Sequence, residues 1–171
     1  MKKIYAPWRK EYITDTVHKP KDNRPKTEAN CVFCQQLKDN VDEKYFIIKR
    51  YNHAFVIMNR YPYNGGHLMI LPIEHKGELD ACTVDERAEM MELINTCITI
   101  LKQELKPQGF NVGINTGRAG GGGIPSHLHI HVLPRWDSDT NFMPLLCETK
   151  PISIELKTTY LQLKKAFDKY S

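Results

Sequence analysis

The run His127-Leu128-His129-Ile130-His131-Val132-Leu133 constrains this chain more than any other feature. Imidazoles alternate strictly with aliphatic side chains. That period suits an extended strand, in which successive side chains point to opposite faces, and not a helix. Read as a strand from His127 to Leu133, it sets His127, His129 and His131 on one face, ~6.5–7 Å apart. Leu128, Ile130 and Val132 enter a core on the other face, which fixes the register. Just upstream, Gly117 to Ser126 holds five of the ten glycines, Gly117 and Gly120 to Gly123. Backbone without Cβ can approach a ligand closely and turn its N–H groups inward, an arrangement that cradles phosphate oxygens. A glycine loop alone is a weak signal. Running into a row of imidazoles, it points to phosphate chemistry, with a ring nitrogen as nucleophile and its neighbours holding oxygens or moving protons. A purely structural strand is the weaker reading, because three buried imidazoles need three sets of partners. A metal held by all three rings is a further alternative.

Around this run the pattern is that of a mixed fold. Tyr45–Ile48, Ala54–Met58 and His67–Leu71 are short apolar runs. The last two are joined by the turn-rich Asn59-Arg60-Tyr61-Pro62-Tyr63-Asn64-Gly65-Gly66, which implies antiparallel pairing. Thr83 with Glu86 three residues on makes a capping box. Behind it Met90, Ile94, Cys97, Ile98, Leu101 and Leu105 recur at helical spacing until Pro107 and Gly109. Phe110, Val112 and Ile114 alternate as a half-buried strand, and Leu156, Tyr160, Leu163 and Phe167 suit a C-terminal helix. Strands, helix, strands, helix is an α+β layout: an antiparallel sheet of about five strands covered by one long helix and a C-terminal helix. With 171 residues there is room for one domain. We divide it as an irregular N-terminal extension, 1–30, rich in Lys, Asp, Asn, Thr and Pro from residue 14 on, and an ordered domain, 31–171.

Charge narrows the partners. The net charge of +4 is uneven: residues 51–149 carry 7 Lys/Arg against 11 Asp/Glu. A global field for nucleic acid is not indicated, whereas one pocket can still bind a small anion. No apolar stretch is long enough for a membrane span, and the N-terminus lacks a signal-like apolar core, so the expected location is the cytoplasm. Of five cysteines, only Cys31 and Cys34 are close, as Cys-x-x-Cys. In a cytosolic chain that spacing reads as metal or redox chemistry, against the plainer reading of two reduced core thiols. Cys82, Cys97 and Cys147 read as ordinary thiols.

The histidine run matches the signature of the histidine-triad (HIT) family, His-φ-His-φ-His-φ-φ with φ apolar, at every position. The resemblance extends over about Cys31 to Phe142. Met58 to Leu68 is similar to the family's upstream strand–turn–strand, and Asn111 to Asn115 with the glycine loop to its nucleotide-phosphate segment. Leu133 to Phe142 resembles the branch containing fragile-histidine-triad hydrolases and bacterial diadenosine tetraphosphate phosphorylases. The resemblance implies cleavage of dinucleoside polyphosphates at the α-phosphate through a nucleotidyl-histidine, completed by water or phosphate. It implies His129 as nucleophile, flanked by His127 and His131; Asn59 at the ribose; Asn115, Gly122 and Gly123 at the phosphates; and Ile57 and Met69 at the base. Ile57 and Met69 read equally well as plain sheet core, and His67 as structural. Members with a paired Cys-x-x-Cys hold zinc, which here implies Cys31, Cys34, His75 and His127, with His53 a spare ligand. His127 cannot serve zinc and phosphate at once. The resemblance further implies a homodimer, a structural zinc and no organic cofactor.

Two other readings compete. One is an adenosine phosphoramidate hydrolase, whose branch the residues after Pro134 resemble less. The other is a nucleotide-binding sensor with incidental turnover. Sugar-nucleotide transfer is disfavoured, since such transferases carry Gln where this chain has His131.

Overall fold

The structure is a computed structural model and describes residues 27–117, 119–121, 123–137, 139, 152 and 154–170. Most of the proposed N-terminal extension, Gly122 and Cys147 lie outside the described residues.

After a 3₁₀ turn at Glu28–Asn30 come helices α1 (Val32–Asp39) and α2 (Asp42–Tyr45). Strands β1 (Ile47–Arg50), β2 (Ala54–Met58) and β3 (Leu68–Pro72) follow, then helix α3 (Val84–Leu105), strands β4 (Gly109–Ile114) and β5 (Ile130–Arg135), and helix α4 (Leu156–Lys169). The sheet is antiparallel throughout, in the order β1-β2-β3-β5-β4. The expected α+β sheet of five strands with one long and one C-terminal helix is therefore present. Helices α1 and α2 went unread, because four and eight residues carry too little period to register.

The sheet has two unlike faces. Val56, Met58, Leu68, Ile70, Ile130 and Val132 pack with Met90, Cys97, Ile100 and Leu101 of α3 and Tyr160, Leu163 and Phe167 of α4 into one buried cluster. Thr83 and Glu86 cap α3 reciprocally as the sequence implies, and Tyr160 Oη ties α4 to β1 by donating to the Ile47 carbonyl at 3.1 Å. The opposite face carries Ile47, Phe55, Ile57, Met69 and Leu71, which pack with Cys31, Phe33 and Cys34 at the start of α1, and with Leu37, Tyr45 and Ile124 at the margin. The thinner cover leaves space on this face, and Met69 pairs there with His131 across β3 and β5.

The histidine run departs from the simple strand. Pairing in β5 begins at Ile130, not His127, and continues through Pro134 to Arg135. Upstream, the His127 N–H bonds the Ile124 carbonyl in a turn, and the Leu128 N–H bonds the Lys76 carbonyl at 2.6 Å. The chain is thus drawn off the sheet toward the loop carrying His75 before β5 starts. Gly77 permits this, since a Cβ there would stand 2.8 Å from the Pro125 carbonyl oxygen. Among the described residues, no helix is long and apolar enough to cross a membrane.

Candidate active site and metal centre

A cavity of about 530 Å³ opens on the thinly covered face. His129 and His131 sit in its wall, with Asn59, Asn115, Gly121 and Gly123 around them and Ile57 and Met69 in the sheet beneath. Gly122 lies outside the described residues, between two glycines that do line it. His127 is not in the wall. It is fully buried, and its contacts lead elsewhere.

The hydrogen bonds decide which nitrogen of each ring carries a proton. His129 Nδ1 lies 2.8 Å from the His127 carbonyl oxygen. A carbonyl can only accept, so Nδ1 carries the hydrogen and the lone pair of the neutral ring sits on Nε2. His67, fully buried, receives the Tyr63 N–H on Nδ1 at 3.2 Å, with the Asn59 carboxamide nitrogen at 3.3 Å from the same atom. Its proton is therefore on Nε2, which donates to His131 Nδ1 at 2.9 Å. That in turn leaves the His131 hydrogen on Nε2. The backbone of the Tyr61–Tyr63 turn thus sets the tautomer of His131 through His67. Burial, reinforced by the nearby His131 and His129 rings, pushes His67 down to about 3. Burial and His129 hold His131 at about 4. Both rings are neutral near pH 7.

On the other side of His129 lies a second cluster. Cys31 Sγ, Cys34 Sγ, His75 Nδ1 and His127 Nδ1 all lie within 4.8 Å of one another. Cys31 Sγ and Cys34 Sγ are 3.3 and 3.5 Å from His127 Nδ1, and Cys34 Sγ is 3.4 Å from His75 Nδ1. A tetrahedral ion with usual zinc–sulfur and zinc–nitrogen bonds spaces its donors roughly 3.3–3.8 Å apart, so the set fits one. His127 Nε2 donates to the Pro72 carbonyl at 2.9 Å, which frees Nδ1 as a ligand and orients the ring. Without a cation Cys34 is unfavourable as a thiolate: burial, then Cys31, pushes its thiol up to about 12. His53 stays exposed and outside the cluster.

Three supporting residues escaped sequence reading. Lys76, next to His75, is clamped by both carboxylate oxygens of Glu86 at 2.7 Å, so the capping residue of α3 also anchors the loop carrying His75. Gly77 lets that loop lie on the chain before His127. Phe33, inside the Cys-x-x-Cys, packs its ring 5.5 Å from His127 and 6.0 Å from His129, measured between centroids. The capping box was the one available signal for Glu86; nothing in the sequence ties Phe33 or Lys76 to the site.

The HIT domain model matches residues 40–138, which span all five strands and both histidine clusters except the two cysteines. The chain belongs to the HIT family. An AP-4-A phosphorylase of Mycobacterium tuberculosis is 33% identical over 159 residues, covering 93% of this chain and 80% of that protein. A bis(5'-adenosyl)-triphosphatase of Saccharomyces cerevisiae is 30% identical over 97 residues, 56% of this chain and 46% of that protein. Among solved structures, a Zn-bound histidine triad family protein from Mycobacterium smegmatis superposes with a TM-score of 0.69 at 21% identity, covering 84% of this chain and 97% of that one. In HIT terms, the first triad ring has turned to the cysteines, and the second and third face the cavity.

Proposed function

We propose that this HIT protein is a nucleotidyl hydrolase or phosphorylase that splits dinucleoside polyphosphates of the diadenosine tetraphosphate type at the α-phosphate. The observation that carries the reading is the tautomer pair in the cavity wall: a bare Nε2 on His129 beside an Nε2–H on His131. The names of the relatives support the substrate class.

In the first step the His129 Nε2 lone pair attacks the α-phosphorus, and the bond to the bridging oxygen breaks. The leaving nucleotide keeps that oxygen and its electron pair. The positive charge developing on the His129 ring is stabilised at Nδ1–H by the His127 carbonyl. His131 holds its Nε2–H toward the phosphate oxygens, with Gly123, Gly122 and Asn115 assigned to the same phosphates and Asn59 to the ribose. In the second step water or inorganic phosphate attacks the phosphorus from the side the leaving group vacated, the P–N bond breaks with its electron pair returning to His129 Nε2, and the proton of the attacking group passes to solvent. Ile57 and Met69 form the floor beneath the base.

Zinc is assigned to Cys31, Cys34, His75 and His127. It would supply a cross-link between α1, the Lys76 loop and the start of the histidine run, and no chemical step passes through it. That removes His127 from direct phosphate contact and leaves it acting through its carbonyl. The domain is taken as 31–171 with 1–30 as an extension, and the cytoplasm, a reducing compartment, suits thiols that form no disulfide among the described residues. A homodimer is proposed through β4, which among the described residues is an unpaired edge of the sheet with Val112 44% exposed. The partner is a small nucleotide, with neither nucleic acid nor membrane.

Incubation with diadenosine tetraphosphate, with and without phosphate, tests the reading. ADP formed only with phosphate means phosphorolysis, and AMP plus ATP means hydrolysis. Binding without products would replace it with a nucleotide sensor, and turnover confined to adenosine phosphoramidates with that branch of the family.

A further inference from the structure

Among the described residues, two buried side-chain atoms lack a hydrogen-bond partner: His131 Nε2 and Gln36 Oε1. The first belongs to the chemistry above. Gln36 has no part in it. It lies in α1, three residues beyond Phe33, and so about one turn, ~4.5 Å, farther along the helix from the ring that packs on His129. Gln36 lines the same cavity, whose lining is rich in apolar side chains, among them Val32, Phe33, Ile57 and Met69. These are apolar surfaces of the kind that grip a flat ring on its faces and leave its edge to a polar group. A buried amide acceptor without a donor is costly, and the three rotatable bonds of a glutamine let it turn to one that arrives.

We propose that Gln36 reads the base. Its carboxamide takes the edge of a 6-aminopurine, Oε1 accepting from the exocyclic amino group and Nε2 donating to the adjacent ring nitrogen. The inference rests on the nucleotide reading and deepens it, by naming the class of base and the residue that selects it. A purine without the 6-amino group leaves Oε1 unpaired inside the cavity.

The test needs no turnover. Binding of AMP and of purine riboside 5′-monophosphate, which differ only by that amino group, is measured calorimetrically on the full chain, wild type, Gln36→Leu and Gln36→Met. In the wild type, losing the amino group weakens binding about tenfold. In both variants the two ligands bind within about twofold of each other, through weakening of AMP alone. Equal affinities in the wild type overturn the proposal, as does an undiminished preference in a variant. The wild-type comparison stands whatever a variant does to folding, and Gln36→Met supplies the second arm should Gln36→Leu not fold. If neither nucleotide binds the wild type, the nucleotide reading falls and this one with it. AMP binding without discrimination spares that reading and removes only the role of Gln36.

Discussion

His127 and His131 stand at equal distances in sequence from His129, yet they live in different worlds. His131 sits on a paired strand, its Nδ1 filled by His67 and its Nε2 at the cavity. His127 sits one turn before the strand begins, its Nε2 filled by a carbonyl and its Nδ1 among two thiols. Alternation put both on the same side of the chain. What separates them is where pairing starts: the bond from Leu128 N–H to the Lys76 carbonyl pulls the run toward the Cys/His cluster. One histidine run thus joins a largely buried Cys/His cluster to the cavity, and the His127 carbonyl on His129 Nδ1 is the joint.

The comparison can be broken in order of effect. On the cavity side, His129→Ala is expected to lower kcat on the order of 10⁴-fold or more while nucleotide affinity stays within a few-fold. Steady-state kinetics beside equilibrium binding measures both, and retained turnover would remove the nucleophile. His131→Ala should cost roughly 10²–10⁴-fold in kcat. His67→Leu should show part of the same loss, and His67→Gln, which can still donate to His131, should recover some of it. Equal defects in the two His67 variants would mean that the ring serves packing alone.

On the anchor side, the order of effects reverses. Cys31→Ser, or stripping by a chelator, should lower the melting temperature by roughly 10 °C, since a structural metal contributes folding free energy directly. Nucleotide affinity should change less. Elemental analysis of the purified protein checks the ion, and protein that holds none while melting normally would dissolve the anchor.

The smallest effect is one of pH. His67 is depressed to about 3 and His131 to about 4, whereas in the unfolded chain both take a proton near 6.5. The unfolded state therefore gains protons first as pH falls. Stability is complete above about pH 7, declines through 6.5, and keeps declining toward pH 4. Between pH 7 and 5 each ring accounts for at most about 2 kcal/mol. Thermal melts across this window should slope downward toward acid, and His67→Leu should flatten the slope. A flat wild-type profile would contradict the buried neutral pair.

Much of this was legible in the sequence because periodicity is local. The strands near Ala54–Met58 and Leu68–Pro72, the Thr83–Glu86 cap and the stripe of α4 follow from short-range pattern, and the architecture follows from their order. Cys31 and Cys34 were legible from their own spacing, but His75 and His127 joined them only through the family resemblance, because Cys31 and His127 are 96 positions apart. The rest depends on contacts that no local pattern encodes. The turn at His127 comes from a loop fifty residues upstream, the proton on His131 is set by the backbone of Tyr63, and Gln36 is an unremarkable polar residue on a short helix until the sheet supplies its wall.

The proposal that His129 is the nucleophile is tested most directly by trapping a covalent intermediate. Protein mixed with diadenosine tetraphosphate, quenched rapidly into alkali and digested, should show the mass of one adenylyl group on the peptide containing His129, absent in His129→Ala. An adduct on His127 or His131, or steady turnover with no adduct on the His129 peptide, would contradict the account.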